Sequence, residues 1–495
     1  MLRLSKAFLK KNTLLSHFPG VLLIAIFYVF ISYPSISHFF VGDDFSWLRW
    51  ASESNSQRLL LNFVDAQGFF LRPIPKLFIF FEYTYFSLNQ SLYHITNILL
   101  NFMVSISSYV LFLKLFKKKY IAFLATLLFS FIPSHSQNIF WIATISTTLS
   151  TLFIFLGLHF FYAARVKKSL VRYLISSLLF LCSVFSYENA VIFIFLTLIL
   201  DVFLVQKKYI PSRAPRFFPY IINFIIIVFY LFIRSHAGAA GFSGDYNYNL
   251  GRVIPNTVGN YLGYVLLFLF SENSLSFYNF LRSSLKTFSL VFSVAGFLLA
   301  AFVGGFFLEH REKIRLSKRT KLFIFGFLFS AVGLFPYLPL GNITLRYVYL
   351  PSFGFVTMLS VLIEKIFSDY IPEEYKVTSF SFLTLILLVL CFWGVKNAEI
   401  YWKRASDISY NTYGILKKIN AKENSNFYFY NVPIKTGEAY IFPVGLPDAV
   451  YFAQDKKNIF TFIVQDYEAA KEIAAGKQNN YIFSFNKNFI LKKVE

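Results

Sequence analysis

Charge is scarce in this sequence: of 495 residues only 15% are Asp, Glu, Lys or Arg, and cysteine occurs twice. Both cysteines, Cys182 and Cys391, lie inside apolar runs, so there is no disulfide framework and no C-x-x-C metal spacing. No G-x-x-x-x-G-K loop, G-x-S-x-G elbow or H-E-x-x-H helix occurs, and no internal repeat is visible. These absences remove nucleotide-loop, serine-hydrolase and zincin chemistries. Acidic residues are the scarcer sign, 25 against 47 basic ones, giving a formal charge of +22. The cations sit in short loops between apolar spans instead of on one basic face. They read as topology determinants, and nucleic acid is not an expected partner.

What the chain has in excess is apolar and aromatic surface: 56% hydrophobic, 21% aromatic, and a mean hydropathy of +0.56. Runs such as 21–40, 139–162, 217–233 and 380–395 are long enough to cross a ~30 Å hydrocarbon core as helices. They do not alternate as barrel strands do. The expected fold class is an all-α polytopic membrane protein. The basic N-terminus precedes a long apolar run with no A-x-A site after it, which reads as a retained first helix.

The basic clusters are Arg3/Lys6/Lys10/Lys11, Lys114/Lys117/Lys118/Lys119, Arg165/Lys167/Lys168/Arg172, Lys207/Lys208/Arg213/Arg216 and Arg311/Lys313/Arg315/Lys318/Arg319/Lys321. Placing them all in the cytoplasm yields spans near 18–40, 91–113, 120–133, 138–162, 170–186, 190–205, 217–234, 288–308, 321–338, 346–366 and 377–395. That makes about eleven crossings of the cell membrane, N-terminus cytoplasmic. Two apolar stretches, 72–88 and 257–271, are short or interrupted by Pro, Gly or charge, and are expected to lie on or dip into the outer leaflet. Two elaborate outer loops result, 41–90 and 235–287, facing short basic inner ones. Residues 1–395 thus form the membrane domain. After Val395 short strand-like runs appear (FYFYNVP, EAYIFPV, NIFTFIV, NNYIFSFN) with a single helical stretch, DYEAAKEIAAG, ending at a capping Gly. Residues 396–495 are expected to be a small extracytoplasmic α/β domain.

Ionisable residues near the outer membrane ends are few: Asp43, Asp44, Asp65, Arg72, Glu82, His94, His135, Glu188, Arg234 and Arg346. Such charges are costly unless paired, solvated or used. Asp43 and Asp44 suit an N-cap for the helix FSWLRWAS. Side by side they also suit a general base, since mutual repulsion raises one pKa. The same pair can hold a divalent metal, although no second cluster demands one. His135 and Glu188 read equally as turn residues or as site residues. Arg346 reads as an anchor at the membrane boundary or as a bidentate partner for a phosphate.

Four stretches then line up in order: FLRPIPKLFIFFEYTYFSLNQSLYHITNILLNF, SFIPSHSQNIFWIATISTTLSTLFIFLGLHFFY, SYENAVIFIFLTLILDVFL and TLRYVYLPSFGF. From residue 18 to about 366 the chain resembles bacterial relatives of the protein O-mannosyltransferases, members of the GT-C glycosyltransferase superfamily. That resemblance implies a GT-C fold and a polyprenyl-phosphate-linked sugar donor. It also implies an acceptor that is a protein, lipid or glycan, and an active site under the first outer loop. It puts the catalytic carboxylate at Asp43, with Asp44 a close second, lines the cavity with Arg72, His135 and Glu188, and sets Arg346 against the carrier phosphate. Tyr187, where many relatives have Lys, and Leu345, where Glu is usual, depart from the pattern and leave the sugar open. The alternatives are a transporter or flippase for lipid-linked sugars, or a catalytically degenerate, partner-binding member of surface glycan assembly.

Overall fold

The computed structural model describes residues 18–66, 70–204, 217–239, 253–284, 317–455 and 457–494. The expected span 288–308 lies outside these residues, as do the clusters Arg3–Lys11, Lys207–Arg216 and Arg311–Arg315. The described chain is mostly helical, with a small α/β region at its C-terminal end.

Among the described residues, five helical segments are long and apolar enough to cross a membrane unaided: Pro19–Ser37, Gln90–Phe116, Ile142–Lys167, Phe218–His236 and Glu373–Lys417. Lys119–Phe131, Leu170–Val184 and Asn256–Phe270 are apolar but shorter. The count of eleven therefore rests in part on short helices and on a segment outside the described residues. In Phe218–His236 the residues Ile221, Phe224, Ile225, Val228, Phe229 and Phe232 face outward, and Asn223 and Tyr230 face inward. Such an outward face is stable only in an apolar solvent.

Several expected spans start late at one end of the bundle, and this is what builds a site there. Helix α1 (Phe18–Ser32) ends in a 3-10 turn at Tyr33–Ser37. After α2 (Asp43–Ser52), α3 (Ser56–Leu61), α4 (Pro73–Phe86) and α5 (Gln90–Phe116), helix α6 (Lys119–Phe131) stops two residues before Pro133. The chain then breaks into a turn at Pro133–His135, a short α7 (Ser136–Phe140) and a second turn at Ile142–Thr144, and α8 (Ile145–Lys167) begins only there. Turns at Glu188–Ile192, between α9 (Leu170–Val184) and α10 (Phe193–Leu204), and at Leu345–Val348 repeat the pattern.

Non-helical backbone at such depth is tolerated where other groups satisfy it. Asn97 donates to the carbonyls of Asn138 and Ile139 at 3.0 and 3.1 Å, and Asn101 donates to Asn138 O at 3.0 Å. The Tyr349 hydroxyl donates to Asn101 Oδ1 at 2.6 Å. Two buried amides on one helix face thus hold the broken turn open.

Helices α11 (Phe218–His236), α12 (Val253–Phe270), α13 (Ser274–Ser284), α14 (Lys318–Leu334) and α15 (Ser352–Tyr370) follow among the described residues. In α14 and α15, Gly326 and Gly354 meet backbone to backbone, and a Cβ on Gly354 would lie 2.3 Å from Gly326 O. Small residues allow this approach where no hydrophobic force drives helices together.

Helix α16 runs unbroken from Lys376 to Lys417, so position 395, where the composition changes, falls in mid-helix. Its second half buries Ala398, Trp402, Ala405, Ser409, Thr412 and Leu416, alternating steps of four and three that mark one helix face. The α/β region follows: β1 (Asn426–Tyr430), β2 (Lys435–Thr436), β3 (Ala439–Tyr440), α17 (Leu446–Ala453), β4 (Phe460–Ile463), α18 (Tyr467–Ala474), β5 (Asn480–Phe485) and β6 (Leu491–Lys493). The sheet order is β4-β1-β5-β6, parallel except for β6, and β2 and β3 form a separate hairpin. The expected helix is α18, capped by Asp466 and followed by Gly476 at φ +76°. The expectation of a single helix is corrected by α17, whose short run, with Val450, Tyr451 and Phe452, reads as strand by composition. Gly445 and Pro447 start it as a helix instead.

Candidate functional site

The broken turns and α2 enclose a cavity of about 50 Å³ lined by Asp43, Trp47, Phe70, Arg72, Trp141, Ala143, Thr144, Ser146, Thr147, Tyr187 and Arg346. A smaller one of about 20 Å³ shares Thr147, Tyr187 and Arg346 with it, and continues past Ser150, Thr151, Asn189 and Tyr337. The lining is hydroxyl-rich and aromatic, with one carboxylate and two guanidinium groups.

Each charged member is held by a different device. Arg72 precedes Pro73, and its guanidinium makes a bidentate pair with Glu188, Nε to Oε2 at 2.9 Å and Nη2 to Oε1 at 2.7 Å. It is sandwiched by the rings of Phe70 at 4.1 Å and Tyr187 at 4.4 Å. Planar stacking with fork geometry fixes it in a way a lysine would not reproduce. Burial works against the charge of Glu188, but Arg72, with Arg234 beyond it, outweighs burial and holds the carboxyl below its ordinary range. Arg346 lies over Trp141 at 5.8 Å and Tyr347 at 5.2 Å. Its turn is tied down by Gln137 Oε1, which accepts from Arg346 N at 3.1 Å and from Thr344 Oγ1 at 3.3 Å.

The two adjacent aspartates have separate environments. Asp44 is buried: Oδ2 accepts from Val41 N at 3.0 Å and Oδ1 accepts from Ala143 N at 2.8 Å. It ties the start of α2 to the turn before α8 and points away from the cavity. Burial pushes its carboxyl up to about 8 despite those two donors. Asp43 lies on the cavity wall. Burial raises its pKa, Arg346 and Arg72 pull it down, and Asp448 pushes it up again, with the net direction upward. A carboxylate raised from its ordinary value, facing a cavity between two fixed cations, holds a proton more tightly than a free aspartate does.

Of the residues expected at the site, Asp43, Arg72 and Arg346 meet at the cavity, and Glu188 stands directly behind Arg72. His135 does not line it. Its Nε2 is 2.8 Å from Ser352 Oγ, its ring packs on Phe129 and Tyr349, and burial pushes its pKa down to about 3. It is a neutral packing residue, because the turn after Pro133 folds it back into the bundle. The acidic pair expected as a metal cradle is split, with Asp44 turned away, and among the described residues no three His, Cys, Asp or Glu side chains converge. Trp141, Thr147 and Gln137 are not among the residues expected at the site, although all three stand inside the second of the stretches that carried the family resemblance, and Tyr187 enters that resemblance only as a departure from the pattern.

No family model and no curated protein matches this chain. Among solved structures it matches an oligosaccharyltransferase of Archaeoglobus fulgidus complexed with Zn and sulfate, at 12% identity over 94% of this chain and 67% of that one, with a TM-score of 0.49. The apo form of the same protein matches at 12% identity over 94% and 69%, with a TM-score of 0.47.

Proposed function

We propose that this chain is an integral membrane glycosyltransferase that moves a sugar from a polyprenyl-phosphate donor to a hydroxyl or amine acceptor at the extracytoplasmic face. The observation that carries this reading is the placement of one carboxylate, Asp43, on a buried cavity wall between Arg72 and Arg346. The order of motifs from residue 18 to about 366 supports it. The reaction needs three things from the protein. A base must take the acceptor proton, a cation must meet the carrier phosphate, and a dry polar pocket must hold the sugar.

In the reading that fits these parts, the acceptor oxygen or nitrogen attacks the anomeric carbon, and its proton passes to a carboxylate oxygen of Asp43. The bond from the anomeric carbon to the phosphate oxygen breaks, and the electron pair leaves with the polyprenyl phosphate. Arg346 meets that developing charge. Arg72, already neutralised by Glu188, orients rather than binds. A single displacement of this kind inverts the anomeric centre. General-base help contributes on the order of 10²- to 10⁴-fold. The hydroxyls of Thr147, Ser150 and Thr151 and the amide of Asn189 line the adjoining cavity and suit a sugar ring. The donor lipid reaches the site from the bilayer, and the acceptor is a protein, lipid or glycan at the cell surface.

The test compares surface glycans and glycoproteins of cells lacking the gene with cells carrying the wild-type chain or the Asp43→Asn variant. Loss of one glycan product in the deletion strain, restored by wild type and not by Asp43→Asn, is expected. Restoration by Asp43→Asn would exclude that carboxylate as the base.

A further inference from the structure

We infer that Asp448, far along the chain in the C-terminal α/β region, is a positioning residue of the Asp43 site: with the segment 441–445 it fixes the pitch of helix α2. The inference rests on the reading of Asp43 as the base.

The contact is made by both backbone and side chains. Gly42 N donates to Ile441 O at 2.7 Å, joining the residue before Asp43 to the strand end after β3. Gly445, at φ +87°, passes so close that a Cβ there would lie 2.0 Å from Gly42 O. On the far side Gly42, at φ +50°, faces Pro443 Cδ, 3.3 Å from where its own Cβ would be. Asp448 then grips the first two turns of α2, accepting from Ser46 Oγ at 2.5 Å with Oδ2 and from Arg49 Nη1 at 3.2 Å with Oδ1. Arg49 is held in turn against the ring of Tyr451 at 4.5 Å.

Ser46 is one turn from Asp43 on the same side of the helix. Helix α2 is therefore held at two points, by Asp44 to Ala143 on the bundle side and by Ser46 and Arg49 to Asp448 on the other. With both in place, α2 cannot roll, and Asp43 stays aimed at the cavity. A third link stabilises the same hairpin: Trp141, part of the cavity wall, packs on Tyr440 at 5.1 Å and on Trp402 at 5.9 Å. Trp402 donates from Nε1 to Glu438.

Asp448 also acts by charge. The charged groups that act on Asp43 are Arg72 ahead of α4, Arg346 in its turn and Asp448 on α17, while its neighbour Asp44 on α2 is turned to Val41 N and Ala143 N. The two cations lower its proton affinity, and Asp448 raises it. Replacing Asp448 by a neutral amide keeps an acceptor for Ser46 while removing the charge, so Asp43 becomes a weaker base that ionises at lower pH.

The experiment measures sugar transfer in detergent-solubilised membranes of the host strain, using as donor probe the polyprenyl-phosphate sugars labelled by feeding tritiated hexoses. Full-length wild type and the variants Asp43→Asn, Asp448→Asn, Asp448→Glu and Ser46→Ala are compared across pH. Asp448→Asn is expected to lower kcat about tenfold with KM for the donor nearly unchanged, and to move the acid limb of the kcat profile to lower pH. Asp448→Glu should recover most of kcat. Ser46→Ala, which removes one hydrogen bond and no charge, should lower kcat about threefold and leave the acid limb in place. This second variant keeps the inference testable if Asp448→Asn fails to accumulate. An inactive Asp43→Asn beside an Asp448→Asn with wild-type kcat and pH profile overturns the positioning role and leaves the base intact. A fully active Asp43→Asn overturns the base, and the positioning role with it.

Discussion

Asp43 and Asp44 are neighbours in sequence with different surroundings, so under the proposed reading exchanging each for a neutral residue should produce opposite phenotypes. Asp44 satisfies two backbone donors, Val41 N at 3.0 Å and Ala143 N at 2.8 Å. Leaving a buried donor without an acceptor costs ~1–3 kcal/mol. Asp44→Ala orphans both and should destabilise the protein by ~2–6 kcal/mol, whereas Asp44→Asn keeps one acceptor oxygen and should cost about half of that. Asp43→Asn is close in volume and lies on the cavity wall, so it should leave the fold in place and lower transfer by ~10²- to 10⁴-fold. The assay pairs fluorescence-detected thermal unfolding in detergent with transfer of labelled sugar, normalised to folded protein. If Asp43→Asn unfolded as early as Asp44→Ala while its surviving fraction transferred sugar normally, the division of labour between the two carboxylates would be wrong.

Breaking the Arg72–Glu188 pair should be more damaging than removing both partners. Arg72→Ala or Glu188→Ala alone should cost ~3–5 kcal/mol, measured as a drop in unfolding midpoint, with the double variant closer to wild type than the sum. Because the folded-state pKa of Glu188 is depressed, its contribution is present above the ordinary value of 4.5 and is lost as pH falls below it; Glu188→Gln should abolish that acid sensitivity in a melting series. Glu438 carries the opposite sign: burial raises its carboxyl to about 7, so its contribution is full below 4.5 and is lost as pH rises through about 7. The midpoint of Glu438→Gln should therefore gain on wild type steadily over that range. At the crossing of α14 and α15, Gly354→Ala would set a Cβ 2.3 Å from Gly326 O and should lower the yield of folded protein far more than an alanine at Gly341, where a Cβ meets open space.

Much of this could be read before the structure. Apolar runs and cation loops placed the membrane part, and Asp43, Arg72, Glu188 and Arg346 were singled out from four separated stretches. What could not be read was direction. Adjacent residues at a helix start point apart, and which one meets the cavity was decided by Ala143, a hundred residues away. The direction of His135 is hidden for a related reason: Pro133 breaks the chain and the ring turns toward Ser352, Phe129 and Tyr349, which residue type alone does not reveal. The start of the α/β region was obscured because residues after 395 become polar. Yet Ala398, Trp402, Ala405, Ser409, Thr412 and Leu416 kept a helical spacing that composition hid. EAYIFPV reads as a strand, but nothing local marks what the hairpin at 435–440 or Asp448 touches, since those contacts are with residues about 300 to 400 positions earlier.

One feature of the fold ties these parts together mechanically. Helix α16 has 42 residues and at 1.5 Å per residue is about 63 Å long. It passes from the apolar bundle to the α/β region without a joint. A rod with no hinge has nowhere to absorb a change of tilt, so a lean of its lower half reaches the hairpin above Asp43 at the same angle. Bilayer thickness, which bears on such leans, thereby becomes a variable of the Asp43 cavity itself.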